Sequence, residues 1–509
     1  MASVALLLAG CGAKQPQPRP SAPATVDTAG LPPKTSPDRP DAVASDVRPA
    51  GFVDPPAGTG IARYHEQPVN WTPCPGGTGP ECATIAVPLD RTQPDGQAIT
   101  LAMLKVPASK EPRLGTLFVN PGGPGEPGQD TARSLRREGL EQYDIVGWDP
   151  RGTGASTPVN CATAKLDDYY AADQSPDDQA ERDTYLQANK DLGTACLQGS
   201  GDLLAHIGTD DTIADLDLMR ELLGDEKLHF LGYSYGTDIG SAYAQAHPDK
   251  VGKLVLDSAV NIAGETEVVQ ASGFDRALGN FADWCVKQRC QLGINRLQVV
   301  ATVQKLVADL DQRPLRVGDR TLTQSLGLTG VILPLYSKQM WPHLRAGVQA
   351  ATEGDGSVLL QLADAYNGRL RDGSYDSRMT AFAAIRCLDE PDRGIAGADE
   401  VARRSVAKAP VFAPLFGPDY TCATWPVKPR PEQPRRTAAG AAPILVVGTT
   451  GDSATPYEYA VGMAEQLESG VLLTNKGEGH TAYGGNNACV NKAVVKYLTG
   501  DAPTEDQTC

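Results

Sequence analysis

The chain has 509 residues, of which 41% are hydrophobic and 21% are charged, as in ordinary globular proteins. This length accommodates two or three domain-sized units, or one large domain with an insertion. The formal net charge of −16 argues against non-specific binding of nucleic acid. The excess of Asp and Glu over Lys and Arg also argues against a polybasic patch that binds membranes.

The first eleven residues suggest export. A short apolar run from Val4 to Ala9 leads into Gly10 and Cys11, and it is too short to span a bilayer as a helix. The pattern is similar to a bacterial lipoprotein signal. We expect residues 1–11 to be a signal peptide ending at a lipidated Cys11, with the protein anchored outside the cell membrane or released from it. The alternative is a chance cysteine, because no Lys or Arg precedes the run.

The cysteine count supports export independently. Without Cys11, ten cysteines remain, and ten free thiols would be unusual in an extracellular protein. They form five close sequential pairs: Cys74/Cys82, Cys161/Cys196, Cys285/Cys290, Cys387/Cys422 and Cys489/Cys509. Nearest-neighbour disulfides are our hypothesis, although the sequence leaves the connectivity open. No Cys-x-x-Cys pair occurs to suggest zinc.

Beyond the first eleven residues, composition divides the chain into four parts. Residues 12–55 are rich in Pro, Ala, Ser and Asp and are predicted to be a disordered tether. Residues 56–260 show strands alternating with helices, and residues 438–509 resume that alternation. Residues 261–437 have helical patterns at 299–310, 357–370 and 379–385, which predict an inserted, mainly helical cap.

The predicted strands are almost wholly apolar. Examples are 115–119, 143–148, 254–256 and 443–448, each followed by a turn or a helix. Apolar strands that alternate with helices are typical of a parallel sheet covered on both faces. The sequence therefore predicts an α/β fold with a mostly parallel central sheet and a helical cap.

Ser234 is the candidate nucleophile. It lies in Gly232-Tyr233-Ser234-Tyr235-Gly236, between an apolar strand pattern and a helical pattern. A nucleophile elbow needs this context, because the serine is raised on a strained strand-to-helix turn and the glycines allow close packing. A surface turn is the structural alternative.

A serine hydroxyl needs a base, and the base needs an orienting acid. His480 follows the last apolar strand in a Gly-rich loop, and Asp452 follows the strand that ends at Gly448. The order Ser234, Asp452, His480 is that of the α/β-hydrolase triad. The alternatives are a structural histidine and a turn aspartate.

Two backbone N–H groups should stabilise the oxyanion. One is expected from Tyr235, directly after the nucleophile. The other is expected from Gly123, within the Gly/Pro-rich segment 120–125. A structural turn is the alternative for that segment.

Several motifs in order resemble one known family. They are Asn-Pro-Gly-Gly-Pro-Gly at 120–125, Asp-Pro-Arg-Gly-Thr-Gly-Ala-Ser at 149–156, Gly-Tyr-Ser-Tyr-Gly-Thr at 232–237, Leu-Asp-Ser at 256–258 and Asp-x-x-Thr-Pro at 452–456. Together they resemble the bacterial secreted tripeptidyl aminopeptidases, which are related to the proline iminopeptidases, from about Pro68 to Cys509. The resemblance implies an α/β-hydrolase fold, no metal or other cofactor, and an acyl-enzyme mechanism. Glu126 departs from the family, which commonly has a small residue there.

The resemblance also implies a substrate with a free N-terminus, whose ammonium group needs an anion. Asp389, Glu390 and Glu126 are candidate ligands for it, with solvated surface carboxylates as the alternative. We therefore expect an exported serine peptidase that releases short peptides, such as tripeptides, from peptide or protein substrates. The alternatives are an envelope carboxylesterase or lipase with the same triad, and a non-catalytic binding protein. The sequence leaves the oligomeric state open.

Overall fold

A computed structural model describes residues 51–75, 79–264, 269–431, 434–501 and 503–509. The expected signal peptide, Cys11 and almost all of the expected tether lie outside these residues. The last part of the tether prediction is wrong. Phe52 and Val53 form a short strand that pairs with Ile99 and Ala98, and Phe52 is buried in the core. The folded body therefore begins before residue 56, because an aromatic side chain and a strand partner hold this segment.

The described residues form thirteen strands. They are β1 Phe52–Val53, β2 Thr72–Pro73, β3 Glu81–Pro88, β4 Ala98–Val106, β5 Gly115–Asn120, β6 Tyr143–Trp148, β7 Leu228–Tyr233, β8 Val251–Asp257, β9 Leu315–Val317, β10 Arg320–Leu322, β11 Ile444–Gly451, β12 Gly470–Glu478 and β13 Gln507–Thr508. All but β9 and β10 belong to one sheet.

The large sheet has the order β13-β12-β11-β8-β7-β5-β6-β4-β3-β2, with β1 paired to β4. Strands from β6 to β13 in this order run parallel to their neighbours. The remaining strands add an antiparallel edge. This confirms the prediction of a mostly parallel sheet. The adjacent strands β5, β7, β8, β11 and β12 all end at one edge of the sheet.

The parallel strands are buried on both faces. In β5, Phe118 packs into the same cluster as Phe230 of β7, whereas Leu117 and Val119 pack with Leu231 on the opposite face. Successive side chains of a strand point to opposite faces, so a strand covered on both sides must be apolar throughout. The continuous apolar runs in the sequence have this physical cause.

The same residues form sixteen α-helices. They are α1 Ala62–His65, α2 Gly128–Ser134, α3 Thr163–Ala171, α4 Gln179–Ser200, α5 Thr209–Leu222, α6 Gly236–Ala246, α7 Gln270–Lys287, α8 Arg296–Gln312, α9 Gln324–Leu335, α10 Trp341–Thr352, α11 Ser357–Asn367, α12 Arg378–Asp389, α13 Gly394–Lys408, α14 Ala413–Phe416, α15 Tyr457–Gln466 and α16 Ala488–Thr499. None of these helices is both long enough and apolar enough to cross a membrane.

Helices α7 to α14 and the hairpin β9–β10 make up the cap between β8 and β11. The three predicted helical segments correspond to α8, α11 and α12. Sequence patterns did not identify α3 and α4, which form a second helical insertion and contact the cap. The Arg182 guanidinium of α4 binds Asp399 of α13 at 2.9 and 2.7 Å, and Asp167 of α3 accepts a hydrogen bond from Tyr375 at 2.7 Å.

Five disulfides join the ten described cysteines in the pairs expected from sequence proximity. They are Cys74–Cys82, Cys161–Cys196, Cys285–Cys290, Cys387–Cys422 and Cys489–Cys509. Each one links segments that are close in the chain, so the core and the cap are braced locally rather than to each other.

Candidate active site

Ser234 occupies a sharp turn between β7 and α6. Its φ is 54°, a strained value for a residue with a side chain. A Cβ atom on Gly236 would lie 2.9 Å from the Asn120 carbonyl oxygen, and one on Gly232 would collide with the Gly236 carbonyl. Glycine is therefore needed on both sides of the serine, because strand, helix and β5 meet here without space for side chains.

The Ser234 backbone is fixed by neighbours. Its N–H donates to the Asp257 carbonyl oxygen at 2.9 Å. Its own carbonyl accepts from the N–H and the hydroxyl of Thr237, at 2.8 and 2.6 Å. Within the described residues the Ser234 hydroxyl makes no hydrogen bond to the protein.

His480 and Asp452 form a tight couple. The His480 Nδ1 atom lies 2.9 Å from Asp452 Oδ1 and 3.0 Å from Oδ2. Asp452 is fully buried, and it accepts the N–H groups of Ala454 and Thr455 at 3.0 and 2.9 Å. A carboxylate only accepts, so Nδ1 carries the proton and Nε2 keeps its lone pair. The histidine is thereby held as a base.

The environment of His480 acts on its pKa in two directions. Burial lowers it, but the charge of Asp452 and its hydrogen bond to the ring raise it more, so the pKa lies above its ordinary value of 6.5. Thr455 adds a second contact, since its hydroxyl lies 3.1 Å from Asp452 Oδ2 and 3.3 Å from His480 Nδ1. Sequence analysis did not identify this role of Thr455.

Asp257 ties the loop that carries the base to the strand beside the nucleophile. Its carboxylate accepts the N–H of Ala482 at 3.1 Å from each oxygen and the N–H of Tyr483 at 2.7 Å. The neighbouring Ser258 hydroxyl accepts the Thr481 N–H at 2.8 Å. Because the Asp257 carbonyl also accepts the Ser234 N–H, one residue at the end of β8 holds both the turn of Ser234 and the loop that carries His480.

The Gly-rich segment after β5 lies directly against the elbow. A Cβ atom on Gly122 would be 2.8 Å from the Tyr235 nitrogen and 2.9 Å from Ser234 Cβ. The Gly122 N–H is occupied by the Asn120 side chain at 2.9 Å. In the described part of the chain, the N–H groups of Gly123 and Tyr235 have no hydrogen-bond partner. These two, named from the sequence, are the donors left for a ligand oxygen.

The cap covers the base with an aromatic wall. The backbone N–H of His480 donates to the Tyr336 carbonyl oxygen at 2.8 Å. The side-chain rings of the two residues meet edge to face, with their centroids 5.5 Å apart. The Tyr336 hydroxyl lies 3.5 Å from that of Tyr366. Burial raises the pKa of both phenols, so they stay protonated and able to donate. Neither tyrosine carried a motif in the sequence.

The structure separates the three acidic candidates. Glu126 follows the Gly-rich segment and binds Arg378 Nη1 at 3.1 Å, and burial raises the pKa of its carboxyl despite this cation. After burial, its charge is among the further causes that raise the pKa values of Tyr336 and Tyr366, so its carboxylate lies near these two phenols. Glu126 therefore adjoins the candidate site.

Asp389 and Glu390 lie elsewhere, at the end of α12. The Asp389 carboxylate binds the N–H and the hydroxyl of Thr209. Both residues are exposed at the end of the helix. Only Asp389 reaches the elbow, and it does so indirectly, through Thr209 and the Tyr235 side chain.

The sheet order and the elbow place the chain among the α/β-hydrolases, and it contains a histidine–aspartate couple of the kind that their serine-dependent members use. Residues 409–509 match the family of TAP-like proteins, an α/β-hydrolase family. The tripeptidyl aminopeptidase of Streptomyces coelicolor is 30% identical over 458 residues, covering 84% of this chain and 83% of that protein. The chain therefore belongs to the TAP-like family of α/β-hydrolases, as its motifs predicted.

Two relatives from Mycobacterium tuberculosis are more similar still. The serine protease Hip1 is 38% identical over 467 residues, covering 85% of this chain and 89% of that protein. Carboxylesterase B is 38% identical over 449 residues, covering 84% of this chain and 86% of that protein. These relatives establish that the chain is a hydrolytic enzyme, and their names differ in the bond that is cleaved.

Proposed function

We propose that the protein is an exported serine peptidase that releases short peptides, such as tripeptides, from the free N-terminus of peptide or protein substrates. The observation that carries the proposal is the buried His480–Asp452 couple, held on a loop that shares the Asp257 anchor with Ser234. Two relatives named as a serine protease and a tripeptidyl aminopeptidase support peptides as the substrate class.

In the proposed mechanism the Ser234 hydroxyl attacks the scissile carbonyl and gives its proton to His480 Nε2. Asp452 stabilises the imidazolium that forms. The N–H groups of Tyr235 and Gly123 bind the developing oxyanion. The intermediate then collapses, His480 donates its proton to the leaving amine, and an acyl enzyme remains. Water, activated by His480, hydrolyses this ester and restores Ser234.

We assign the substrate ammonium group to Glu126. Its carboxylate lies near the phenols of Tyr336 and Tyr366 and, within the described residues, accepts a hydrogen bond only from Arg378 Nη1, at 3.1 Å, so it retains lone pairs for a further donor. Burial disfavours its charged form, so a substrate cation would interact with it more strongly than with an open surface carboxylate. Glu126→Gln should raise KM about tenfold for peptides with a free amine and leave acetylated peptides unaffected.

The first experiment compares purified wild type with Ser234→Ala. Wild type should be labelled by a fluorophosphonate probe and should hydrolyse tripeptide anilides. Ser234→Ala should keep its Tm and lose both activities, by about six orders of magnitude in kcat. A folded wild type that is not labelled would favour a non-catalytic binding protein instead.

Carboxylesterase activity is the second candidate, because the relative named carboxylesterase B is as similar as Hip1. Matched p-nitrophenyl esters and tripeptide anilides with free or acetylated N-termini separate the two. Turnover of the free-amine anilide alone supports an aminopeptidase. Equal turnover of both anilides indicates an endopeptidase, and turnover of esters alone indicates an esterase.

We also propose that the protein is exported and anchored through a lipid on Cys11. The apolar run before this cysteine and the five disulfides of the body support the proposal. In cells, Cys11→Ser should move the protein from the membrane fraction to the medium or to the unprocessed precursor. An unchanged distribution would refute lipidation.

A further inference from the structure

A chain of short hydrogen bonds joins the cap to the elbow. The Tyr235 hydroxyl lies 2.6 Å from Thr209 Oγ1, and Thr209 Oγ1 lies 2.6 Å from Asp389 Oδ2. Both oxygens of Asp389 also accept the Thr209 N–H, at 3.1 and 3.0 Å. Asp389 ends α12 of the cap, Thr209 begins α5, and Tyr235 follows Ser234. Three segments that are distant in the sequence therefore meet in one network.

The chemistry of the groups sets the direction of these bonds. An ionised Asp389 only accepts, so the Thr209 hydroxyl donates to it. The Thr209 oxygen is then left to accept from the Tyr235 hydroxyl. The tip of the Tyr235 side chain is held in this way, while the N–H of the same residue is a candidate oxyanion donor. Because the ring and the N–H belong to the same residue, a displacement of the Tyr235 ring would also move its backbone N–H.

The chain is shaped for close approach of Asp389 to Thr209. A Cβ atom on Gly208 would lie 2.7 Å from Asp389 Oδ1 and 3.2 Å from Arg430 Nη1. The φ of Gly208 is −69°, which residues with side chains also adopt. Glycine is therefore required at position 208 because a side chain has no room there, and not because of the backbone conformation.

Asp389 sits at an accessible but crowded recess. Charged groups reach it from several elements: Asp210 and Asp211 of α5, Asp238 of α6, Glu390 of α12, and Arg430 and Arg436 of the segment before β11. Arg430 pairs with Asp211, and Arg436 pairs with Asp238. Within the described residues, Asp389 has no ion-pair partner of its own.

This environment places the ionisation of Asp389 near neutrality. Asp389 as a whole is exposed, but the protein crowded around its carboxyl withdraws water from it and raises its pKa; the Asp238 charge adds to this, and the Thr209 bonds and Arg430 oppose it, with the result at about 7. Protonation turns one carboxylate oxygen into a donor. As the pH falls, the hydrogen bonds from the Tyr235 hydroxyl to Thr209 and from Thr209 to Asp389 therefore lose their fixed direction.

We propose that Asp389 is a positioning residue, which sets the Tyr235 oxyanion donor through Thr209 and so makes the catalytic rate depend on the cap. This rests on the proposed function only in requiring that Ser234 is the nucleophile and that the Tyr235 N–H binds the oxyanion. Oxyanion contacts strengthen in the transition state, so disturbing them lowers kcat and leaves KM nearly unchanged.

The test measures kcat and KM of the purified full-length protein on a p-nitrophenyl ester, because esterases and peptidases both need an oxyanion hole. The variants are Asp389→Asn, Thr209→Val and Tyr235→Phe. Each should lower kcat about tenfold with KM within about twofold, as expected for a lost bond to a positioned donor. The double variant Asp389→Asn/Tyr235→Phe should lose no more than either single variant, because both break the same chain of bonds.

The pH profile separates positioning from stability. In wild type, the protonations of His480 and Asp389 should make the acid limb of log(kcat/KM) steeper than one where both groups titrate, with a local slope of up to about 1.5, because loss of the Asp389 charge costs about tenfold. In each single variant the slope should fall to one. The control is Asp392→Asn, an exposed carboxylate just beyond α12 that binds the Gly394 N–H at 2.7 Å, and it should match wild type.

Three results would overturn the assignment of Asp389. One is a Tyr235→Phe variant with wild-type kcat. Another is an acid limb whose slope is the same in wild type and Asp389→Asn. The third is a loss of kcat in Asp389→Asn that only accompanies a lower Tm, which would leave Asp389 as a cap for α5. A folded wild type that no fluorophosphonate labels would instead refute the proposed function.

Discussion

Thr455 contacts both members of the histidine–aspartate couple at once. Its N–H and its hydroxyl bind the two oxygens of Asp452, and the same hydroxyl lies 3.3 Å from His480 Nδ1. Because Asp452 is fully buried, every donor that it keeps stabilises its charge in a place that water does not reach. The residue therefore supports the orienting acid, although no substrate atom needs to touch it.

Thr455→Val tests this support, because valine keeps the shape and the backbone N–H but removes the hydroxyl. We expect kcat to fall about tenfold, the usual cost of a bond to a charged group, while the fold is kept. Steady-state kinetics and Tm are the measurements. Thr455→Ser, which retains the hydroxyl, is the matched control and should stay within about threefold of wild type. Equal activities of the valine and serine variants would show that the hydroxyl is not needed.

His480 is the base whose protonation should abolish activity at low pH, whereas protonation of Asp389 should only reduce it. The neutral, basic form of His480 is the active form. Burial lowers the pKa of His480, but Asp452 raises it more, so the pKa lies above its ordinary value. Activity should therefore be lost as the pH falls through a midpoint above 6.5. Replacing Asp452 with Asn should move this midpoint down and lower kcat by about four orders of magnitude. A wild-type midpoint below 6.5 would contradict the assignment of His480 as the base.

At the scale of elements, the Gly-rich segment is packed between the elbow and the cap. Gly125 has a φ of 96°, and a Cβ atom there would collide with the Arg378 carbonyl and lie 3.0 Å from the Phe382 nitrogen. Both belong to α12, the helix that also ends in Asp389. The first and last turns of one cap helix thus contact the segment of Gly123 and the network of Tyr235, the two candidate oxyanion donors.

Gly125→Ala should separate α12 from the Gly-rich segment. We expect kcat to fall at least tenfold, since the Gly123 donor moves, and Tm to fall as well. Gly354→Ala is the matched control, because its φ is 95° and nothing lies within 4 Å of the added Cβ. It isolates the cost of the left-handed backbone, about 1 kcal/mol. If the two variants behaved alike, contact with α12 would have no part in activity.

At the scale of the whole molecule, Asp257 makes stability depend on pH. It is fully buried, and burial raises its pKa to about 6, although the N–H groups of Tyr483 and Ala482 lower it. A raised carboxyl pKa favours the folded state at low pH. The stabilisation is complete below the ordinary value of 3.8 and is lost as the pH rises to about 6.

The size of this effect follows from the shift, which corresponds to about 3 kcal/mol between pH 4 and pH 7. The difference in stability between wild type and Asp257→Asn isolates it, since asparagine does not titrate. We expect wild type to gain on the variant as the pH is lowered across this range, by denaturant unfolding at fixed salt. A constant difference across the range would contradict the raised pKa.

The sequence was most informative where the candidate site residues lie in short local motifs. Ser234, Asp452 and His480 each follow an apolar strand, and the carboxyl ends of parallel strands lie at one edge of a sheet, so the sequence could place all three residues at that edge. Thr209 and Tyr336 could not be found in this way, because their partners come from distant segments. The candidate acids illustrate the limit of sequence analysis. Asp389 and Glu126 were equally good carboxylate candidates in the sequence, and only the fold shows that Asp389 binds Thr209 whereas Glu126 binds Arg378.

The order of the elements has a consequence for biosynthesis. Ser234 precedes the cap, whereas Asp452 and His480 follow it, so a growing polypeptide carries the nucleophile long before its base. The base loop can be seated only when β11 and β12 have joined the sheet beside β8. Under the proposed mechanism, a partly made chain therefore lacks its base and should not cleave the other proteins of its cell, and activity should arise only with the completed molecule.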